Sequence, residues 1–248
     1  MKTVYQDDRR ELIVPGNEEE TIQYCADHFI KLANDAIKKH GTFTVALSGG
    51  STPKAIFELL SHPANAGKID WSRVKIFWSD ERAVLPTDSN SNYHMAMNAG
   101  LKDLPIIPEN IFRMVVEKNP EENAVAYAEA IKKHVPDCRF DLVMLGMGAD
   151  GHTASLFPNT TALGIIEDLV VAYEVPQLKA WRMSLTFSAI NNAHNIVVYL
   201  LGSSKAQTLA KILKGAHHPH HSPAQNIGTA ANPSLWIADE EAVKEIME

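Results

Sequence analysis

Short β-rich runs alternate with amphipathic helical stretches along most of the chain. This alternation is typical of βαβ units that wind around a mostly parallel sheet. It predicts an α/β fold, a single doubly wound, Rossmann-like α/β/α domain that spans residues 1–248. No internal repeat, low-complexity linker or domain boundary interrupts the pattern.

Helices are predicted where apolar residues recur at helical spacing, and strands where short β-rich runs are bounded by turn residues. The predicted helices are 18–39, 54–60, 92–101, 121–134, 188–194, 203–213 and a short one at the C-terminus. The predicted strands are 42–47, 74–78, 111–115, 141–145, 169–174, 182–187, 195–201 and 235–238. Loops are predicted at 79–91, 146–158 and 216–231, and residues 1–17 carry no predicted element.

The composition, 45% hydrophobic and 21% charged residues, is that of an ordinary globular protein and excludes a disordered or fibrous one. The longest apolar run, 196–201, is far shorter than the ~18 residues of a membrane-spanning helix. Residues 1–10 are not followed by the apolar core of a signal peptide, so we expect a cytoplasmic protein without a membrane partner. The net charge of −7 argues against broad binding to nucleic acid.

Neither a metal nor a cofactor is expected. Cys25 and Cys138 lie far apart and form no CxxC pair, which argues against a disulfide framework and a structural zinc site. The four histidines within 217–221 surround Pro219 and have no carboxylate or cysteine at the spacing of a closed metal site. We interpret that segment as an exposed loop.

A glycine-rich loop follows the predicted strand 42–47 and consists of Ser48, Gly49, Gly50, Ser51 and Thr52. We expect Thr52 to be the N-cap of the next helix and Pro53 its first residue. Such a loop directs backbone N–H groups and hydroxyls to a helix N-terminus, where the helix dipole favours an anion such as phosphate. It is neither a Walker A loop nor GxGxxG, so no nucleotide is implied. A plain tight turn is the alternative.

Three basic residues are candidates for holding an anion. Arg82, within Ser79-Asp80-Glu81-Arg82 at a predicted strand end, offers a planar guanidinium to phosphate or carboxylate oxygens. Arg182 begins a predicted strand, and Lys205 lies in the first turn of a predicted helix, where a bound anion would explain a lysine that opposes the helix dipole. The alternatives are a surface ion pair for Arg82 and simple solvation for the other two.

The loop after the predicted strand 141–145 contains Asp150-Gly151-His152, flanked by Gly146 and Gly148. His152 is a candidate general base, because imidazole titrates near neutral pH. A carboxylate beside it, such as that of Asp150, can hold one tautomer and stabilise the charged form. A structural histidine is the alternative, but a position directly after a parallel strand favours a functional one.

Taken together, the chain resembles the 6-phosphogluconolactonase family. The resemblance rests on three segments in the family's order: Leu47 to Pro53, Trp78 to Arg82, and Gly146 to Pro158 with its Gly-Met-Gly-Ala-Asp-Gly-His turn. Two further segments, 182–186 and 202–206, also look like family segments, so the resemblance covers nearly the whole chain.

The resemblance implies hydrolysis of 6-phospho-D-glucono-1,5-lactone to 6-phospho-D-gluconate in the oxidative pentose phosphate pathway, by a carboxylic ester hydrolase. It implies catalysis by His152 with Asp150, without a metal. The substrate-binding residues that it implies are Ser48, Gly49, Gly50, Ser51, Thr52, Asp80, Arg82, Arg182 and Lys205. The expected partner is a small phosphorylated sugar lactone, and the expected assembly is a monomer or a small homo-oligomer.

Two other functions are compatible with parts of the sequence. Glucosamine-6-phosphate isomerase/deaminase is similar in fold and shares the Asp-Gly-His turn, but its turn continues into Asn-Glu-Pro, whereas this chain has Leu156-Phe157-Pro158. Its Asp-Glu-Tyr also differs from Asp80-Glu81-Arg82. A non-catalytic sugar-phosphate sensor would normally carry a basic helix-turn-helix, for which we expect no room before Glu18.

Overall fold

Ten strands and eight α-helices make up the computed structural model, which describes residues 1–247. The strands are β1 (Lys2–Gln6), β2 (Arg10–Val14), β3 (Phe43–Leu47), β4 (Val74–Trp78), β5 (Asp80–Arg82), β6 (Leu142–Leu145), β7 (Val170–Val175), β8 (Ala180–Leu185), β9 (Ile196–Leu200) and β10 (Ser234–Ala238). The helices are α1 (Glu18–His40), α2 (Ser51–Ser61), α3 (Pro63–Ala66), α4 (Asn92–Asn98), α5 (Pro120–His134), α6 (Phe187–Asn191), α7 (Ala206–Lys214) and α8 (Lys244–Met247).

Seven strands form the larger sheet, in the order β1-β2-β10-β9-β6-β3-β4. All neighbours are parallel except β1, which pairs antiparallel with β2. The predicted α/β fold with a mostly parallel sheet is confirmed. The strands β3, β6 and β9 are buried along their whole length, as expected of parallel strands covered on both faces.

Sequence signals explain how the long helix α1 forms. Asn17 caps its N-terminus in a capping box with Glu20, and Gly41 ends it with a φ of 90°. Its buried face, which includes Phe29, packs on the sheet: the Phe29 ring meets Phe43 of β3 edge to face, with ring centroids 5.4 Å apart. The helical spacing of its apolar residues therefore predicts both the helix and the face that it buries.

The order of the strands reverses between β3 and β6. From β3 the chain first adds β4 on one side, and then returns to add β6, β9 and β10 on the other. In open α/β sheets, ligands bind at the carboxyl ends of the strands at such a reversal. The loops 48–50 and 146–158, which follow β3 and β6, therefore meet at this point.

A second sheet of three antiparallel strands, in the order β5-β8-β7, was not predicted. The segment 79–91, predicted as a loop, contains β5, and the predicted strands 169–174 and 182–187 pair with each other as β7 and β8. Only four residues connect β7 to β8, too few for the crossover that parallel strands need. This small sheet lies at the carboxyl end of β4, because β5 follows β4 after one residue.

Other predictions need correction. Residues 1–17 form β1 and β2. The predicted strand 111–115 makes only one bridge to the edge of the sheet, between Ile111 and Ile76. Helix α2 begins at Ser51, two residues before the predicted first residue Pro53, because Gly50, with a φ of 105°, turns the chain directly into the helix. Thr52 therefore lies inside the helix and is not its N-cap.

Within residues 1–247, no helix combines the length and the apolar character needed to cross a membrane.

Candidate active site

A cleft of about 270 Å³ opens at the strand-order reversal. Its walls come from four parts of the chain: the β3–α2 loop, the segment from β5 to α4, the loop after β6, and the region of β9 and α7. The lining residues are Ser48, Gly49, Gly50, Ser51, Thr52, Pro53, Asp80, Arg82, Asn92, Gly146, Met147, Gly148, His152, Ala154, Tyr199 and Lys205.

The N-terminus of α2 forms one wall of the cleft. No side chain caps this end of the helix, and its first turn contains no acidic residue. The first N–H groups of a helix are unpaired within the helix and carry the positive end of its dipole. Gly49 lies so close to Asn92 that any Cβ at this position would collide with the Asn92 side chain. The loop thus lies close to the start of α4 and presents N–H groups and hydroxyls to an anion.

Three cations lie at or beside the cleft. Arg82 and Lys205 line it, whereas Arg182 lies outside the lining residues and directly opposite Arg82 on the β5–β8 pair. Burial, followed by the charge of Arg82, lowers the pKa of Arg182. Within residues 1–247, none of the three forms an ion pair with a carboxylate; instead they donate to the carbonyls of Asn90, Trp181 and Met147. Three positive charges are therefore gathered here and no carboxylate of the described residues is in direct ion-pair contact with them, although Asp80 lines the same cleft.

The acidic residues of the Asp80-Glu81-Arg82 strand do not pair with the Arg82 guanidinium, although Glu81 Oε1 accepts the backbone N–H of Arg82 at 2.8 Å. Glu81 is buried and accepts hydrogen bonds from Ser91 Oγ and from the N–H groups of Asn92 and Tyr93, at 2.8–2.9 Å. Burial raises the pKa of Glu81 in spite of these bonds. Its carboxylate thus holds the start of α4 against β5. The alternative of a surface ion pair for Arg82 is not observed among the described residues.

Asp80 is only 5% exposed, yet it lines the cleft. Its Oδ2 accepts a hydrogen bond of 2.6 Å from Ser155 Oγ, and its backbone carbonyl accepts one of 2.9 Å from Asn92 Nδ2. Asn92 was not predicted as a site residue. The Glu81 carboxylate accepts the Asn92 N–H and so holds this residue beside Asp80. A buried carboxylate at the cleft can accept hydrogen bonds from sugar hydroxyls.

His152 and Asp150 form a hydrogen-bonded pair at the rim of the cleft. The distance from His152 Nδ1 to Asp150 Oδ1 is 2.6 Å, and Asp150 Oδ1 also accepts the His152 N–H at 3.1 Å. Partial burial opposes ionisation of Asp150, but these two hydrogen bonds outweigh it and lower the pKa of the carboxyl. Asp150 itself is not a lining residue and reaches the cleft only through His152. An ionised Asp150 favours the tautomer with hydrogen on Nδ1, which leaves Nε2 as an acceptor.

The imidazole of His152 is confined on two further sides. The Phe157 ring stacks on it, with centroids 4.3 Å apart and an interplanar angle of 28°. Gly148 lies under the pair, and a Cβ there would overlap the His152 ring. The His152 side chain is 29% exposed, so water still reaches it. The ring is therefore fixed in orientation and accessible from the cleft.

The structure brings together most of the residues predicted from sequence: the whole segment Ser48 to Thr52, Asp80, Arg82, His152 and Lys205 line one cleft. Asn92, Met147 and Tyr199 are lining residues that were missed. The four histidines of the 217–221 loop are exposed, and within residues 1–247 no three His, Cys, Asp or Glu side chains are grouped as metal ligands would be.

Known proteins share this sequence and fold. The chain is 42% identical to a 6-phosphogluconolactonase of Chlamydia muridarum in an alignment of 233 residues. This alignment covers 93% of this chain and 88% of the relative. It is 39% identical over 223 residues to a 6-phosphogluconolactonase of Treponema pallidum, over 88% of this chain and 91% of the relative.

Among solved structures, a 6-phosphogluconolactonase of Thermotoga maritima aligns with a TM-score of 0.79 and 25% identity, over 94% of this chain and 99% of that one. A monomeric glucosamine-6-phosphate deaminase aligns with the same TM-score at 17% identity, which shows the shared fold alone. The family model described as glucosamine-6-phosphate isomerases/6-phosphogluconolactonase matches residues 16–236. The chain therefore belongs to the glucosamine-6-phosphate isomerase/6-phosphogluconolactonase family.

Proposed function

We propose that this protein hydrolyses 6-phospho-D-glucono-1,5-lactone to 6-phospho-D-gluconate, a step of the oxidative pentose phosphate pathway in the cytoplasm. The observation that carries the proposal is the oriented His152–Asp150 pair at the rim of a cleft whose other walls hold Arg82, Lys205 and an uncapped helix N-terminus. A base and an anion site in one small cleft suit a substrate that has both a phosphate group and an uncharged, electrophilic carbonyl. Relatives with 39–42% identity bear the name 6-phosphogluconolactonase.

His152 acts as the general base. Its Nδ1 is engaged by Asp150, so Nε2 takes a proton from a water molecule as that water attacks the lactone carbonyl carbon, C1. The bond between C1 and the ring oxygen then breaks, and the imidazolium returns the proton from Nε2 to the departing ring oxygen. The product is an open-chain acid, which ionises and releases a proton to the solvent.

The phosphate group binds where the start of α2, Arg82 and Lys205 line the cleft. The N–H groups and hydroxyls of Ser48 to Thr52 at the start of α2, together with the Arg82 guanidinium and the Lys205 ammonium, supply charge-assisted hydrogen bonds. Arg182 acts from beside Arg82 and adds to the local positive potential. Holding the phosphate fixes C1 near His152, and this proximity is a large part of the catalysis.

Asp80 binds a sugar hydroxyl in this proposal. Its Oδ2 is engaged by Ser155, whereas Oδ1 accepts only longer hydrogen bonds, of 3.4 Å from Ser79 Oγ and 3.3 Å from Asn92 Nδ2, and the residue lines the cleft. The hydrolysis needs no metal, because the imidazole itself removes the proton from water and a lactone is already an activated ester.

The sequence Leu156-Phe157-Pro158 argues against the isomerase/deaminase reaction. Phe157 places an apolar ring against His152, at the position in the turn where the deaminases have a glutamate. Ring opening and isomerisation require several proton transfers, and a single imidazole without that second carboxylate has no partner for them.

The test is the release of acid from freshly generated 6-phosphogluconolactone at neutral pH, with a chelator present and the spontaneous hydrolysis rate subtracted. A matched reaction contains glucosamine 6-phosphate instead. Acceleration of the first reaction alone is expected. Formation of fructose 6-phosphate in the second would assign the chain to the deaminases, and binding of both sugars without turnover would indicate a sensor.

A further inference from the structure

The turn that carries His152 contains a backbone conformation that its residues disfavour. Ala154, two residues after His152, has a φ of 47°, in the left-handed region that favours glycine. The turn is closed by a hydrogen bond of 2.9 Å from Leu156 N–H to the Thr153 carbonyl. An alanine persists in this conformation only when its surroundings hold it there.

Ser155, the next residue, is 1% exposed and is bound by all three strands of the small antiparallel sheet. Its Oγ donates to Asp80 Oδ2 of β5 at 2.6 Å, and its N–H donates to Ser184 Oγ of β8 at 3.2 Å. Its carbonyl accepts from the Tyr173 hydroxyl of β7 at 2.8 Å. Every polar group of Ser155 is therefore satisfied, each by a different strand.

Tyr173 also lies close to the residues that hold the imidazole. Its hydroxyl oxygen accepts a hydrogen bond of 3.4 Å from the N–H of Phe157, the residue whose ring stacks on His152. Tyr173 does not line the cleft. One hydroxyl thus fixes the backbone on both sides of Leu156, between the strained residue and the stacking ring.

We propose that Ser155 and Tyr173 are positioning residues for His152: the three-stranded sheet fixes the turn at Ser155, keeps Ala154 left-handed and so holds the imidazole against Asp150 and over Gly148. The inference rests on the proposed role of His152 as general base. Arg82 and Arg182 lie on the same small sheet, but the Tyr173 hydroxyl bonds only the backbone of the turn and Thr160, and none of the residues proposed to bind the phosphate. Removing this hydroxyl loosens the turn and should therefore affect the chemical step more than substrate binding.

The test compares Tyr173→Phe with Tyr5→Phe. Each substitution removes one half-buried hydroxyl that lies 2.8 Å from a backbone carbonyl, but the partners of the Tyr5 hydroxyl are Leu213 and Asp7, which make no hydrogen bond to the turn. Tyr173→Phe is expected to lower kcat about tenfold with KM within about twofold, because a sub-ångström displacement of a catalytic group costs less than the ~100-fold typical of 1 Å. Tyr5→Phe is expected to leave both constants unchanged.

A second readout separates positioning from a general loss of structure. In a His152→Ala background, Tyr173→Phe should cause no further loss, because the group that it positions is absent. Ser184→Ala removes the acceptor of the Ser155 N–H and should behave in the same way, which gives an independent variant should Tyr173→Phe fold poorly.

An equal additional loss in the His152→Ala background, a change in KM as large as that in kcat, or an unchanged kcat in both variants would overturn the inference. A wild-type protein without lactonase activity would instead remove the proposed function, and the inference with it. An active wild-type protein with unaffected variants removes the inference alone.

Discussion

Replacing Gly148 by alanine should displace His152 while leaving the phosphate-binding residues in place. A Cβ at residue 148 would overlap the imidazole and lie 2.7 Å from Asp150 Oδ1. The φ of Gly148 is not in the left-handed region, so the backbone itself accepts alanine and the effect is the collision alone. Ordinary contact begins at 3.4 Å, and the ring must therefore move by about 1 Å.

A displacement of this size costs about 100-fold in rate, or about 3 kcal/mol in the activation barrier. We expect kcat for 6-phosphogluconolactone to fall about 100-fold, with KM within about threefold of wild type, in initial-rate measurements of acid release. Gly164→Ala is the matched control, because a Cβ there meets nothing within 4 Å and the residue lies outside the cleft. A folded Gly148→Ala protein with kcat within threefold of wild type would refute the geometry argued for His152.

Other substitutions test the anion site and the fold. Arg82→Met should raise KM for the phosphorylated lactone about 10- to 100-fold, the worth of a charge-assisted hydrogen bond, and leave slow turnover of unphosphorylated gluconolactone unchanged; equal losses on both substrates would indicate a structural role. Arg182→Met should raise KM less, because Arg182 lies outside the cleft wall. Asp7→Asn should lower the free energy of unfolding by about 1 kcal/mol at pH 7, a value reduced for partial exposure. Burial opposes ionisation of Asp7, but hydrogen bonds from Arg10 and Arg9 lower its pKa to about 2. The stabilisation by the ionised carboxylate is therefore full above about pH 4 and is lost as the pH falls towards 2. Urea unfolding that gives the same free-energy difference between wild type and Asp7→Asn at pH 7 and at pH 2 would contradict this.

Much of the site follows from the sequence because its residues lie in loops directly after parallel strands. The carboxyl ends of β3 and β6 meet at one edge of the sheet, so Ser48 to Thr52 and His152 converge whatever the detailed packing. The contact between His152 and Asp150 needs only a tight turn, which Gly148 and Gly151 allow. Local patterns were sufficient in these cases.

The small antiparallel sheet was missed because its evidence is not local. The strand β5 consists of Asp80, Glu81 and Arg82, three charged residues without any apolar alternation. Its acidic side chains are buried because Ser91, Asn92 and Ser155 satisfy them, and these partners lie 10 to 75 residues away. The short gap between the predicted strands 169–174 and 182–187 was the one available signal, since it excludes a parallel crossover.

The surroundings of the three cations were also beyond local patterns. An arginine beside two acidic residues in the sequence suggests an ion pair, but the pleat of β5 and the start of α4 direct the Glu81 carboxylate to backbone N–H groups instead. In residues 1–247 the Arg82 guanidinium forms no ion pair, and this tertiary contact removes the nearest carboxylate in the sequence from its reach. Arg182 faces Arg82 across a strand pair that the sequence did not reveal.

The most direct test of the account is the rate of 6-phosphogluconolactone hydrolysis by wild type and His152→Ala at neutral pH, with a chelator present and spontaneous hydrolysis subtracted. Loss of the general base should lower kcat by about 10²- to 10⁴-fold, while the variant still binds 6-phosphogluconate through the residues around α2. A folded His152→Ala protein that hydrolyses the lactone at a near-normal rate would contradict the central claim that His152 activates the attacking water.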